Sequence, residues 1–350
     1  MNLPVVVIGL LAAAAWLPES RASERPALDR TGVLLSSAGL GVLVYGVIQA
    51  GQDGWGDTRA LTGMLFGALV LVGFVLWERR LSRRPAGQPL VDLGLFSSRS
   101  FTWGAILAAV GVFALFGVLF TAPQYFQAIL GADAMGSGLR LLPLIGGLAL
   151  GAGLADRVAA RAGAKLTVAL GFFLLAAGLA VGATTSLTSG TGFIAAWTPV
   201  VGLGMGLALA TASTVALSAL EAERAGVGSA VIQAVNKVGA PFAAAILGSV
   251  LNATYRGQLD VAGLPATVAS TVRDSVFAGV GAARQLASAS LLHGVRAAFV
   301  DGVDVMLWAC AAIAVAGLVL ALVFLPGPGR ATPATATKPE PAALEGDALV

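Results

Sequence analysis

The sequence predicts an all-α polytopic membrane protein with about nine transmembrane helices, and three observations carry that expectation. Of its 350 residues, 57% are hydrophobic and only 11% are charged, against about 25% charged in a soluble globular domain. Apolar runs close to the roughly 20 residues that cross a bilayer core recur from one end to the other. The Lys and Arg residues gather in alternate connections between those runs. A mean hydropathy of +0.87 leaves too little polar surface to face water, so lipid is the expected solvent. The net charge of +3 does not point to nucleic acid, because the basic residues sit between apolar runs rather than on one patch.

The first run, residues 3–17, is short. Its basic residues, Arg21, Arg25 and Arg30, follow the apolar core. A secretory leader carries its positive charge ahead of the core, so this pattern fits better a helix whose C-terminal end faces the cytoplasm. Further spans are expected at 32–50, 61–77, 101–122, 139–155, 166–184, 193–217, 230–251 and 305–325. Their interiors are rich in Gly and Ala. Gly202, Gly204 and Gly206 lack the spacing of a dinucleotide loop and follow no strand, so close helix packing is their expected role.

Orientation follows from the connections. If the first span ends inside, the cytoplasmic connections hold Arg21, Arg25 and Arg30, then Arg79, Arg80, Arg83, Arg84 and Arg99. Arg157, Arg161 and Lys165 come next, and then Arg224. The external connections hold Arg59 in the first, with no Lys or Arg in 123–137 or 185–192. The segment 252–304 carries Arg256, Arg273, Arg284 and Arg296, but long translocated loops largely escape the charge rule. Val268, Val272, Val276 and Val280 recur every fourth residue there, which predicts a helix against the membrane or the bundle. The stretch 326–350 is Pro-rich and polar and reads as a disordered cytoplasmic tail. The expected location is the inner (plasma) membrane.

Few residues offer chemistry. Cys310 and His293 are the only ones of their types, so no disulfide framework, metal cluster, cofactor or enzyme activity is expected. Arg140 lies at the outer end of its span and can snorkel. Lys237 lies about two turns inside its span, and a charge that deep needs a cavity or a partner. No Asp or Glu falls in the interior of any expected span, although proton coupling normally uses a carboxylate there. Gln124, Tyr125, Gln127, Phe113, Phe116 and Met205 either line a cavity for a lipophilic compound or pack between helices.

The run TAPQYFQAILGADAMGSGLRLLPLIGG, with Gln124, Tyr125, Gln127, Gly131, Gly138 and Leu142-Pro143, resembles the major facilitator superfamily (MFS). More narrowly, it resembles the fourteen-span drug:proton antiporters of the EmrB/QacA type. VYGVIQAGQDGWG, FVLWERR followed by PLVDLGLFSSRSF, and RAGVGSAVIQAVNKVG followed by AAAILGSVL resemble further parts of that family. Asn2-Leu3-Pro4 resembles the Asn-x-Pro of its sixth span. The resemblance implies spans six to fourteen. Residues 1–18 would be the last helix of the first bundle, 19–100 two central helices with basic loops, and 101–325 a complete second six-helix bundle containing the external segment 252–304. It also implies that the coupling carboxylate lies in five earlier spans, and that the chain is an N-terminally truncated exporter of lipophilic drugs or toxic small molecules in exchange for protons.

GLADRVAARAGAK resembles the superfamily's cytoplasmic loop motif through Leu154, Ala155, Asp156 and Arg157, with Arg161 in the basic cluster that follows. The resemblance implies a gate in which Asp156 pairs and releases; a tight turn with orienting charge is the alternative. Asn236-Lys237 stands where the family usually has Arg-Gln, which turns the charge about 100° around the helix. Gln124, Tyr125, Gln127, Asn236 and Lys237 are the expected cavity residues, and Asp156, Arg157, Arg161, Arg140 and Pro143 the expected gating residues. A half-protein that pairs with a separately encoded first half is the alternative function. An intramembrane hydrolase is not expected, since Ser137 lacks a base.

Overall fold

The computed structural model describes residues 3–16, 29–84, 90–91, 93–220 and 222–326. The expected tail, apart from Pro326, and the basic residues Arg21 and Arg25 lie outside the described residues, as does the side chain of Arg224. The described residues form α-helices and one 3₁₀ turn, Leu93–Ser97, with no strand among them. In chain order the helices are α1 Leu3–Trp16, α2 Arg30–Asp53, α3 Thr58–Ser82, α4 Arg99–Ala128, α5 Ala134–Arg140 and α6 Leu142–Ala162. Then come α7 Ala164–Gly182, α8 Thr191–Ser218, α9 Ala222–Gln258, α10 Ala266–Asp274, α11 Val276–Gln285 and α12 Ala289–Phe324.

Eight of these stretches are long and apolar enough to cross a membrane, against the nine expected. They are α2, α3, α4, α5 with α6, α7, α8, most of α9, and α12. α1 has 14 residues, about 21 Å of helix against the ~30 Å of a hydrocarbon core.

The last span also departs from expectation. Helix α12 begins at Ala289, not at Val305, and α9 continues to Gln258. The connection between α9 and α12 is therefore shorter than expected, made of α10, α11 and their flanking turns. Nothing between Ala289 and Asp304 breaks a helix, and Ser288 caps it by accepting from the Leu291 N–H. Asp301 and Asp304 thus lie within a continuous helix, which corrects the expectation that no carboxylate falls inside a spanning element. The valine repeat at 268–280 is split between two helices by Ser275, which is extended (φ −165°) and caps α11. Val272, Val276 and Val280 are nonetheless buried in the main core.

Packing is organised around α8, which lies against α4, α6 and α7, while α12 packs on α4, α7 and α9. The glycines of α8 set this arrangement. Gly202 and Gly206, one turn apart, press on the backbone of α6 at Leu144 and Leu148. Gly204 points the other way, where a Cβ would sit 2.5 Å from the Gly171 carbonyl of α7. Without a hydrophobic effect between helices in lipid, such close approach supplies the van der Waals contact that holds them. α2 and α3 form a hairpin whose α2 limb also packs on α9. Gly163 alone separates α6 from α7, and its φ of 83° is one that side chains disfavour.

Candidate functional site

A cavity of about 600 Å³ opens between α2, α4 and α9, with α12 and the α10–α11 junction completing its wall. That volume suits a drug-sized molecule. Helical periodicity explains the lining. Phe116, Phe120 and Gln124 follow every fourth residue down α4, and Ala240, Ala244, Gly248, Leu251, Asn252 and Tyr255 form one face of α9. The α9 face runs about 22 Å from Ala240 to Tyr255. The polar lining residues Gln52, Gln124, Asn252, Asp274 and Ser275 cluster at the end where α2, α4 and α9 finish. Phe116, Pro241 and the alanines occupy the other end.

Three contacts fix the frame. The Trp55 indole N–H donates to Ser249 Oγ at 3.0 Å, tying the α2–α3 turn to α9. Tyr255 donates to the Val272 carbonyl at 2.8 Å, and Arg256 Nε donates to the Arg273 carbonyl at 3.1 Å. Together these hold the α10–α11 junction over the polar end.

The expected cavity residues separate. Gln124 lines the cavity, with its amide donating to the Phe120 carbonyl one turn back. Tyr125 points away, buried, and its hydroxyl donates to the Ser186 carbonyl at 2.9 Å in the α7–α8 connection. One residue along a helix is a 100° turn, so the pair cannot share a face. Gln127 is exposed. Asn236 and Lys237 precede the lining residues of α9: Lys237 is exposed, and Asn236 Oδ1 is enclosed without a partner. Phe116 lines the cavity, Met205 is fully buried in the core, and Phe113 packs on that core.

Among the expected gating residues, Asp156, Arg157 and Arg161 are exposed on the last two turns of α6. Pro143 lies in the first turn of that helix, where its missing N–H costs nothing. Arg140 ends α5, half-buried, with Nε enclosed and unpartnered.

Two carboxylates were missed by the sequence reading. Asp304 is half-buried in α12, with Oδ1 enclosed and unpartnered. Glu78, in the last turns of α3, is fully buried. Its Oε2 accepts from the Val91 N–H at 3.1 Å, a contact 13 residues on that local pattern does not show.

A family model described as the Major Facilitator Superfamily matches residues 2–244. The tetracenomycin C resistance and export protein of Streptomyces glaucescens is 34% identical over 260 residues, 74% of this chain and 47% of that protein. The multidrug resistance protein Stp of Mycobacterium tuberculosis is 30% identical over the same shares. The multidrug efflux pump LfrA of Mycolicibacterium smegmatis is 29% identical over 86% of this chain and 58% of its own length. The chain spans about half the length of the first of these curated relatives. Among solved structures, a bacterial homologue of the human lysosomal transporter Spinster superposes with a TM-score of 0.52 at 17% identity, over 83% of this chain and 68% of that one. This last likeness concerns the fold alone.

Proposed function

The chain belongs to the Major Facilitator Superfamily, and from that premise we propose that it works in exporting lipophilic drugs or toxic small molecules by proton antiport. Within the superfamily we place it with the fourteen-span EmrB/QacA-type antiporters, contributing the central helices and the second bundle. Its multi-pass helices sit in a lipid bilayer, and drug-resistance exporters are its relatives. The observation that carries the reading is the cavity between α2, α4 and α9, apolar at one end and amide-lined at the other. We assign its polar end to the external side, because Arg79, Arg80, Arg157 and Arg161 cluster at the opposite ends of the helices. In alternating access, the second bundle rocks against a first bundle of similar size around a site near the midplane. Gln124 orients the substrate; Asp156 and Arg157 act at the cytoplasmic gate.

Efflux tests this. The chain is expressed in an exporter-deficient bacterium, alone and with the first half of a relative, and loss of a preloaded lipophilic dye is followed with and without an uncoupler. Uncoupler-sensitive efflux that needs the added half is expected. Dye loss no faster than in the empty strain, with both halves present in the membrane, contradicts the proposal.

A further inference from the structure

The cavity face of α9 does not end with the cavity. Ser229, Gln233, Lys237 and Pro241 follow one another every fourth residue, and Pro241 lines the cavity's apolar end. Lys237 precedes Tyr255, another lining residue, by 18 residues, which is five full turns, so the two point the same way. Ser229, Gln233 and Lys237 are all exposed, while Gly228, Val231 and Ile232, on the other side of the same turns, are buried. Lys237 lies about 6 Å along the axis from Pro241, within reach of its own side chain.

This stripe runs along a stretch long and apolar enough to cross a membrane, Gly226–Gln258. Facing lipid, it would leave a charge and an amide in hydrocarbon, which is costly, so this side of α9 borders water or protein. Pro241 adds to the polarity there. Lacking an N–H, it leaves the Lys237 carbonyl without its usual helical donor. Among the described residues no carboxylate pairs with Lys237, so its charge is uncommitted. A lysine that only reached for the inner surface would be free to occupy any side of the helix; this one continues the side that lines the cavity.

We propose that Ser229, Gln233 and Lys237 mark the cavity's route toward the cytoplasmic side, and that Lys237 receives an anionic group on the compound carried there. The substrate class is then an aromatic amphiphile bearing a carboxylate or an acidic phenol. This rests on the cavity being the substrate site. The apolar body sits on Phe116, Pro241 and the alanines, and its anion reaches the Lys237 ammonium one turn further along α9. Among the described residues the wall itself carries one charge, Asp274 at the opposite, polar end, which turns an anion toward Lys237. The phosphate of an inner-leaflet lipid has the same anionic chemistry, and the test separates the two sources.

Binding to the purified full chain decides it, with pyrenebutyrate and its methyl ester as probes and pyrene fluorescence as the readout. The chain is held in nanodiscs of phosphatidylcholine or of phosphatidylglycerol, and Gly248→Phe, which fills the cavity, corrects for probe dissolved in the bilayer. In both lipids the acid is expected to bind about tenfold more tightly than the ester, the scale of one charge-assisted hydrogen bond. Lys237→Gln removes that preference and leaves the ester's affinity as it was; Lys237→Arg keeps it. A parent protein with no preference, or a preference that survives Lys237→Gln, overturns the assignment while the cavity stands as the substrate site. A preference present in phosphatidylcholine and lost in phosphatidylglycerol gives Lys237 to lipid phosphate and overturns it too. If neither probe binds the parent more than Gly248→Phe, the reading of the cavity falls, and this one with it.

Discussion

The hydroxyl of Tyr255, in the last turn of α9, is bonded to the backbone of α10 near its end: it donates to the Val272 carbonyl at 2.8 Å. The ring is itself buried and forms part of the cavity wall. One side chain thus ties the capping helices to the helix that lines the cavity. Tyr255→Phe is expected to cost about 0.5–1.5 kcal/mol in the attachment of α10. Faster hydrogen exchange across 266–274, with α4 and α8 unchanged, is the expected readout.

Gly202 allows α8 and α6 to touch through their backbones. Gly202→Val forces a side chain into that contact and is expected to destabilise the bundle by about 1–3 kcal/mol or more. Gly153, on the same α6, has nothing within 4 Å of a Cβ and should accept valine. Thermal unfolding in detergent, read by size exclusion after heating, compares the two variants.

Gly248 faces the cavity with only the Phe120 ring near, 3.5 Å from a Cβ. Gly248→Phe is therefore expected to fill the cavity without disturbing helix packing. Dye efflux should fall severalfold or more while the amount of folded protein in the membrane stays the same.

Gln124 and Tyr125 are neighbours with different roles. Gln124→Leu removes the amide from the cavity and should change which dyes are exported. Tyr125→Phe breaks a bond to the Ser186 carbonyl outside the cavity. It should cost about 0.5–1.5 kcal/mol of stability and leave the export profile as it was.

Apolar length found the helices well, because a run such as 101–122 leaves no other way to satisfy its backbone in lipid. It misplaced the start of α12, because Asp301 and Asp304 end the apolar run without ending the helix. The role of Gly202, Gly204 and Gly206 was legible, since small residues two and four apart imply two packing faces. The site was less so. Gln124 was legible as an amide within an apolar run, but which neighbour shares its face depends on helix rotation, and that is set by tertiary packing. Glu78 was hidden for a related reason: the N–H it accepts from, that of Val91, is 13 residues away in sequence.

The central claim is that these helices cross a bilayer in alternate directions, with their basic ends inside. Single cysteines at Arg80, Arg157 and Thr188, all three exposed, are placed in a Cys310→Ala background and offered to a membrane-impermeant thiol reagent in intact cells and in inverted vesicles. The account predicts labelling of Thr188→Cys only in cells, and of Arg80→Cys and Arg157→Cys only in inverted vesicles. Labelling of Arg80→Cys or Arg157→Cys in sealed, intact cells would contradict it.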